Sequence, residues 1–265
     1  MTDFYRHIAD HFDQNATDYD ARYWENPVLQ RLRQVLREEV KRCRFSSALE
    51  IGHGTGVDLC HFGSIFPERT FAGVDVSPRM TDLARRRIGD AGLRNVEAKV
   101  ASIEQVPEAF PGRRFDLVYV FFGALNTVKD LQQNAECLRD VLTPGGTLVL
   151  SVVNRWYLAD MAIGVLRGRG RAAFQRLERV WGGYSPDRPM QSRCYQPRNV
   201  LSAFGPWTRL RRRRGLCILY PAWYRAHHLK RLRGWAEVLW DVDGMLNHTP
   251  LWCTGEYALY TLQKR

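Results

Sequence analysis

The sequence predicts an α/β protein built on a parallel sheet that is buried on both faces, with helices on either side. Three observations predict it. Short apolar runs recur at even spacing through the first 154 residues, polar helix-patterned stretches separate them, and a glycine-rich turn follows the first run. Strands alternating with amphipathic helices imply βαβ units, whose strands read as continuous apolar runs because helices cover both faces.

Taken in order, residues 25–43 predict an amphipathic helix, with Val28, Leu29, Leu32, Val35, Leu36 and Val40 at i, i+3, i+4 spacing. The apolar runs follow as Ala48–Gly52, Phe71–Asp75, Val96–Val100, Leu117–Val120 and Thr147–Val153, with helical stretches around 79–91 and 130–142. Thr143-Pro-Gly-Gly146 reads as a turn that stops the second of these helices before the strand at 147. After Asn154 the alternation breaks. Residues 155–205 carry helices, glycine breaks at Gly168/Gly170 and Gly182/Gly183, and a proline-containing loop at 185–189. A long strand at 207–220, a helix at 223–246 and a last strand at Glu256–Gln263 close the chain. The whole reads as one domain over 1–265: an N-terminal helical lid (1–45), a ligand-binding core (46–154), a helical insertion after strand 5 on the acceptor side (155–206), and the last strands and helix of the sheet (207–265).

At 45% hydrophobic and 25% charged residues, the composition is that of an ordinary globular protein. Six scattered cysteines form no CxxC pair and no Cys/His cluster at zinc spacing, which predicts reduced thiols and no metal. The start, MTDFYRHIADHFDQ, carries acids and histidines where a signal peptide needs a basic start and an apolar run, and no stretch reaches membrane-spanning length. A cytoplasmic protein is expected. Its net charge of +11 is uneven. Residues 1–154 hold 19 Lys+Arg against 21 Asp+Glu, whereas residues 155–265 hold 20 against 7. Such asymmetry points to an anionic partner of the C-terminal region or to a solvated arginine-rich face.

The strongest local signal is Glu50-Ile-Gly52-His-Gly54-Thr-Gly56. A glycine turn between a buried strand and a helix lets the backbone approach a ligand, and the helix start offers unpaired N–H groups. A dinucleotide fingerprint wants its third glycine one place later, at Val57, and the carboxylate of Glu50 suits an ammonium better than a pyrophosphate. Asp75, 21 residues after Gly54 at the end of the next strand, is placed to accept both hydroxyls of a ribose.

ALEIGHGTG, FAGVDVSPRM, FDLVYVFFGALNTV and LRDVLTPGGTLVLSVVN, in that order, resemble the successive motifs of class I S-adenosylmethionine (SAM)-dependent methyltransferases over about residues 10–155. The resemblance implies a Rossmann-like seven-stranded sheet with an antiparallel last strand, and SAM as cofactor. It places the backbone at Gly52, His53 and Gly54 along the methionine part of SAM, counts Gly56 among the cofactor-binding residues of the same turn, and sets Glu50 near the ammonium. It gives Asp75 the ribose, Val76 and Met80 the flanks of the adenine, and Ile103 a backbone N–H to the ring. Ser102 stands where the family commonly has an aspartate, which implies a weaker bond to the adenine amine. Phe121 and Phe122 would border the sulfonium, and Tyr19 would lid the cofactor.

The stretch Val120-Phe-Phe-Gly123 lacks the Asn/Asp-Pro-Pro-aromatic motif of base amino-methylation, no Pro-Cys pair occurs for cytosine C5 chemistry, and no acids follow the fourth strand for a catechol-type metal. A metal-independent enzyme acting on a small, apolar or lipid-like and in some cases anionic acceptor is expected, working by positioning and desolvation. The aromatic set Trp156, Tyr157, Phe174, Trp181, Tyr184 and Tyr195 predicts an apolar acceptor cavity formed with the N-terminal helix and the loop at 121–128. Asn126, Tyr195, His227 and His228 are the candidates for binding or deprotonating the acceptor. Leu229, Leu232, Trp235, Val238, Leu239, Val242 and Leu246 would share one face of the helix at 229–246, with Lys230, Arg231 and Arg233 beside it, as core packing or as peripheral docking on an anionic membrane. Two alternatives stand: an RNA methyltransferase using Arg209 and Arg211–Arg214, with nucleic acid otherwise not expected as a partner, or a SAM-fold binding protein without catalysis.

Overall fold

The computed structural model describes residues 2–178, 180–183 and 190–265. Three helices lead the chain: α1 (Asp3–Asn15), α2 (Tyr19–Trp24) and α3 (Pro27–Lys41). α3 starts where the Asn26 side chain accepts from the N–H groups of Val28 and Leu29, with Pro27 in the first turn, where its missing N–H costs nothing. β1 (Ser47–Ile51), α4 (Val57–Ile65), β2 (Thr70–Asp75), α5 (Pro78–Asp90), β3 (Val96–Val100), α6 (Val106–Ala109), β4 (Phe115–Val120), α7 (Leu131–Val141) and β5 (Leu142–Val153) then alternate strand and helix. The remainder adds α8 (Leu158–Leu166), α9 (Gly170–Ala173), α10 (Pro197–Phe204), β6 (Thr208–Leu216), α11 (Leu229–Leu232), α12 (Trp235–Leu246) and β7 (Tyr257–Lys264).

The seven strands form one sheet in the order β3-β2-β1-β4-β5-β7-β6, with β7 antiparallel to both neighbours, as expected for a Rossmann-like sheet. Alternate residues of β1, β2, β4, β5 and β7 feed two cores. One joins Ala48, Phe71, Leu117 and Tyr119 to Leu32 and Leu36 of α3 and Leu59 and Phe62 of α4. The other joins Leu49, Ile51, Val118 and Leu148 to Leu138 of α7 and Val200 and Phe204 of α10. The order reverses between β1 and β4, so the connections leaving these strands diverge and open a crevice at their carboxyl ends.

Three elements differ from expectation. Phe115 pairs with Leu142 and Leu117 with Thr147, so Thr143-Pro-Gly-Gly146 is looped out inside β5 and does not precede it. The long strand stops at Leu216, because Cys217 turns to φ 55°. The helix at 223–246 is broken into a 3₁₀ stretch Trp223–His228, α11 and α12, with Arg233 at φ 46° between the last two. The apolar stripe therefore does not share a face. Leu229, Leu232 and Leu239 pack on the core, while Trp235 is 70% exposed. A polar contact anchors α12 as well: the buried Asp243 carboxylate accepts from the N–H groups of Ile218 (2.8 Å) and Leu219 (2.6 Å), capping the chain as it leaves β6.

The arginine run of β6 lies on the sheet's outer strand and is largely engaged. Arg211 donates to Gln263, Arg212 pairs with Glu39 at 2.5 Å, and Arg213 and Arg214 sit over Trp252 and Trp240. Charged side chains on an edge strand block pairing with another chain, which is a structural use of this run. The six cysteines are unpaired, and among the described residues no helix is long and apolar enough to cross a membrane.

Candidate functional site

The crevice at the β1/β4 switch point is a cavity of about 880 Å³, within the size range of small-molecule sites. Its floor is the glycine turn after β1. Gly52 has φ 72°, and a Cβ there would stand 2.7 Å from that of Ala124, so only glycine lets the turn close on the loop after β4. Gly56 starts α4 at φ 77°, and a Cβ there would meet Ala84 at 2.8 Å; it shapes the turn and does not line the cavity.

Two carboxylates face this floor. Glu50 is buried on β1, and the Tyr119 hydroxyl donates to it at 3.0 Å. Burial, reinforced by the nearby Asp58 carboxylate, raises its pKa well above the usual carboxylate range, which is what a cation placed beside it would reverse. Asp75 ends β2 and is held by two N–H groups, Gly54 on Oδ2 and Ser77 on Oδ1, each at 2.9 Å, with lone pairs remaining on both oxygens. His53 packs between the turn and Gly73 of β2, its Nδ1 2.8 Å from the Gly54 carbonyl; burial holds its pKa below the ordinary imidazole value.

The roof comes from the N-terminal helices. Tyr5, Ile8, His11 and Phe12 of α1 and Tyr19 and Tyr23 of α2 line it. Polar ties clamp it down: Asp13 accepts from the Ser77 hydroxyl and the Arg79 N–H, while Asp20 accepts from Thr55 and pairs with Arg87. Tyr19 lies 3.8 Å from where a Gly54 Cβ would be, directly over the turn, and burial raises its pKa. Arg33 of α3 enters the same space. Its guanidinium lies over the rings of Tyr23 (3.9 Å) and Phe122 (4.9 Å), and it reaches the buried Asp58 at 3.4 Å, while Arg37 holds Asp58 at 2.6 Å. The Arg33 Nε is buried without a partner. Phe122 adopts φ 50°, unusual for a side chain of its size, to follow β4 into this contact.

The expected cofactor residues Tyr19, Glu50, Gly52, His53, Gly54, Asp75, Val76, Met80, Ser102, Ile103, Phe121 and Phe122 all line the one cavity. Ser102 also caps the turn after β3, exchanging hydrogen bonds with Gln105. The acceptor candidates fare differently. Asn126 lines the cavity, but its amide donates to the carbonyls of Val153 and Arg193 and accepts from the Val153 N–H, so it braces the loop after β4. Tyr195 is buried in the core next to β5, and His227 and His228 line a separate depression with Asp160 and Arg225; none of the three lines the cavity. The imidazole besides His53 on the cavity wall is that of His11. Of the aromatic set, Trp181 reaches the cavity, Tyr157 is buried elsewhere, Trp156 and Phe174 are exposed, and Tyr184, like the loop at 185–189, lies outside the described residues. Sequence reasoning missed Arg33. The available signal was its place one helical turn from Leu29 and from Arg37, at the border of the apolar face. Among the described residues, no group of three or more His, Cys, Asp or Glu is placed to hold a metal.

Residues 48–146 match the family model described as a methyltransferase domain. An uncharacterized protein of Rickettsia prowazekii is 33% identical over 105 residues, 39% of this chain and 41% of the relative. A demethylmenaquinone methyltransferase of Deinococcus radiodurans is 34% identical over 102 residues, 38% of this chain and 41% of the relative. The chain thus spans about two-fifths of the length of these curated relatives. Among solved structures, the [4+2]-cyclase SpnF aligns at TM-score 0.58 and 16% identity over 89% of this chain and 80% of that one. The YcgJ protein of Bacillus subtilis aligns at 0.54 and 18% over 88% and 99%. At such identities these likenesses speak for the fold.

Proposed function

We propose that the protein, whose residues 48–146 match a methyltransferase domain, transfers a methyl group from SAM to a small, largely apolar, lipid-like acceptor at the β1/β4 cavity. The observation that carries this reading is the pairing of Glu50 and Asp75 at adjacent strand ends, on either side of one glycine turn. The two acids match the two ends of SAM that need a negative partner, the ammonium and the ribose hydroxyls.

Bound SAM supplies an electrophilic methyl group on a sulfonium; the chain supplies position and dryness. Glu50 holds the ammonium, and Arg33, with its unpartnered Nε, holds the carboxylate of the same amino-acid end. Asp75, fixed by its two N–H donors, accepts from the ribose. Met80 and Val76 flank the adenine, and Phe121 and Phe122 exclude water from the methyl group. Tyr19 closes the turn from above. An acceptor under the aromatic roof needs only its nucleophilic atom in line, about 3 Å from the methyl. The relatives named demethylmenaquinone methyltransferases, whose name gives a quinone as the acceptor, agree in character with this apolar space. The chemistry needs no metal, and turnover is expected to survive chelation by EDTA.

The test is incubation with isotopically labelled SAM and a total metabolite and lipid extract, read by mass spectrometry. Label in an extractable, organic-phase product is expected. Binding of NAD in place of SAM would overturn the reading, and label in co-purified RNA would replace the acceptor class.

A further inference from the structure

We infer that the α8–α9 hairpin and the adjoining 3₁₀ stretch Trp223–His228 form a docking surface for an anionic lipid bilayer. The inference deepens the proposed function, because a protein held on a membrane meets a lipid-soluble acceptor there. α8 reads Leu-Ala-Asp-Met-Ala-Ile-Gly-Val-Leu, and Met161 is its one buried side chain. Leu158, Ala162, Val165 and Leu166, at i, i+4, i+7 and i+8, share one face, and all four are exposed, Leu166 at 85%. Phe174, just after α9, is exposed as well.

This face has a basic border. Arg167, Arg169 and Arg171 follow α8 directly, are exposed, and form no salt bridge among the described residues. Across a shallow depression lined by Arg167, Arg169, Arg225, His227 and His228 lies the 3₁₀ stretch. Partial burial and the neighbouring His227, Arg167, Arg231 and Arg225 hold His228 below its ordinary pKa, which marks these groups as one cluster. Its one acid, Asp160, is paired with Arg225. An exposed apolar helix face edged with unpaired arginines is complementary to acyl chains beneath anionic headgroups.

The platform is firm and close to the cavity. A Cβ on Gly164 would stand 2.6 Å from that of Ala173, so α8 and α9 cross in contact. The segment is pinned to the sheet through Arg176 and Glu256 at 2.6 Å, both buried. Trp223, at the start of the 3₁₀ stretch, lines the cavity, while Tyr224 and Arg225, next in the chain, line the depression.

The experiment is co-sedimentation of the whole protein with vesicles of phosphatidylcholine, alone or with about 30% phosphatidylglycerol, at low and high salt. Binding to the anionic vesicles alone, lost at high salt, is expected. Arg167→Gln, Arg169→Gln and Arg171→Gln together should lower partition about 100-fold, at roughly fivefold per basic residue. Val165→Ser with Leu166→Ser should lower it about tenfold at unchanged charge, through lost apolar burial. Both variants should keep the wild-type circular dichroism spectrum and SAM affinity, which separates lost docking from lost folding. Equal binding of variants and wild type, or none to anionic vesicles, overturns the inference. So does a dimer that Val165→Ser/Leu166→Ser disrupts, or a gel shift with RNA that the arginine variant abolishes while vesicles go unbound. The sedimentation needs neither SAM nor turnover, so its failure and that of the methyl-transfer reading are distinguishable.

Discussion

The floor and the roof of the cavity are built on different principles. The floor is strand ends and backbone: positive-φ glycines, N–H groups aimed at Asp75, and a carboxylate buried against its own solvation at Glu50. The roof is side chains on helices, tied down by the aspartates Asp13 and Asp20 and filled by Tyr5, Phe12 and Tyr23, with Tyr19 and Arg33 at the seam where it meets the floor. A floor made of backbone serves a ligand part that does not vary; a roof made of side chains can be reshaped without disturbing the sheet. The floor should therefore govern the donor and the roof the acceptor.

The largest effect is expected at the floor. Asp75→Ala removes the acceptor for two ribose hydroxyls and should weaken SAM binding by about 2 kcal/mol or more. Calorimetry returning wild-type affinity would remove the ribose assignment.

Glu50→Gln should weaken SAM by about tenfold, near 1.4 kcal/mol, through loss of a charge-assisted bond. The same change should raise the melting temperature of the ligand-free protein by a few degrees, since an amide avoids burying a charge. The sign with pH follows from the raised pKa of Glu50. Between the ordinary carboxylate pKa and the raised folded value, the folded state keeps a proton that the unfolded state releases. Ligand-free stability from this group thus falls as pH rises through that window, while SAM affinity rises as the carboxylate ionises. Titrations of both quantities should flatten in Glu50→Gln, and an unchanged slope would show that another group titrates.

Arg33→Met, at the seam between floor and roof, should weaken SAM about fivefold to tenfold. Stability should move by roughly 1 kcal/mol or less, because Asp58 keeps Arg37 at 2.6 Å. A variant that loses stability and keeps SAM affinity would make Arg33 a purely structural partner of Asp58.

Tyr23→Leu should change KM for the identified acceptor severalfold while SAM affinity stays within about twofold. Equal losses on both sides would break the division between floor and roof. The smallest effect is expected far from the cavity. Arg211→Gln with Arg213→Gln on β6 should alter stability by about 0.5 kcal/mol or less and leave turnover alone. Light scattering should then show more self-association, as an edge strand loses its charge.

How much of this was legible follows the reach of the interactions. The sequence determined the alternation of β1 to β5 with their helices, the glycine turn, and the acids Glu50 and Asp75, because period, turn chemistry and strand-end position are local properties that survive in one dimension. The same reading placed His227, His228 and Tyr195 at the acceptor and drew one helix through 223–246. Only the tertiary structure decided otherwise. Arg233 breaks that helix, and Asp243 is drawn inward to cap the chain leaving β6, a contact 25 residues distant that no local pattern encodes. Arg33 and the aspartate ties of the roof were likewise silent, since an arginine or aspartate on a polar-looking helix reads as solvated until its partner arrives from another element. The arginine-rich region at 155–265 carried one signal in sequence and has two uses in space: engaged side chains along the β6 edge, and exposed ones beside α8. Charge is counted along the chain, but what it meets is set by packing.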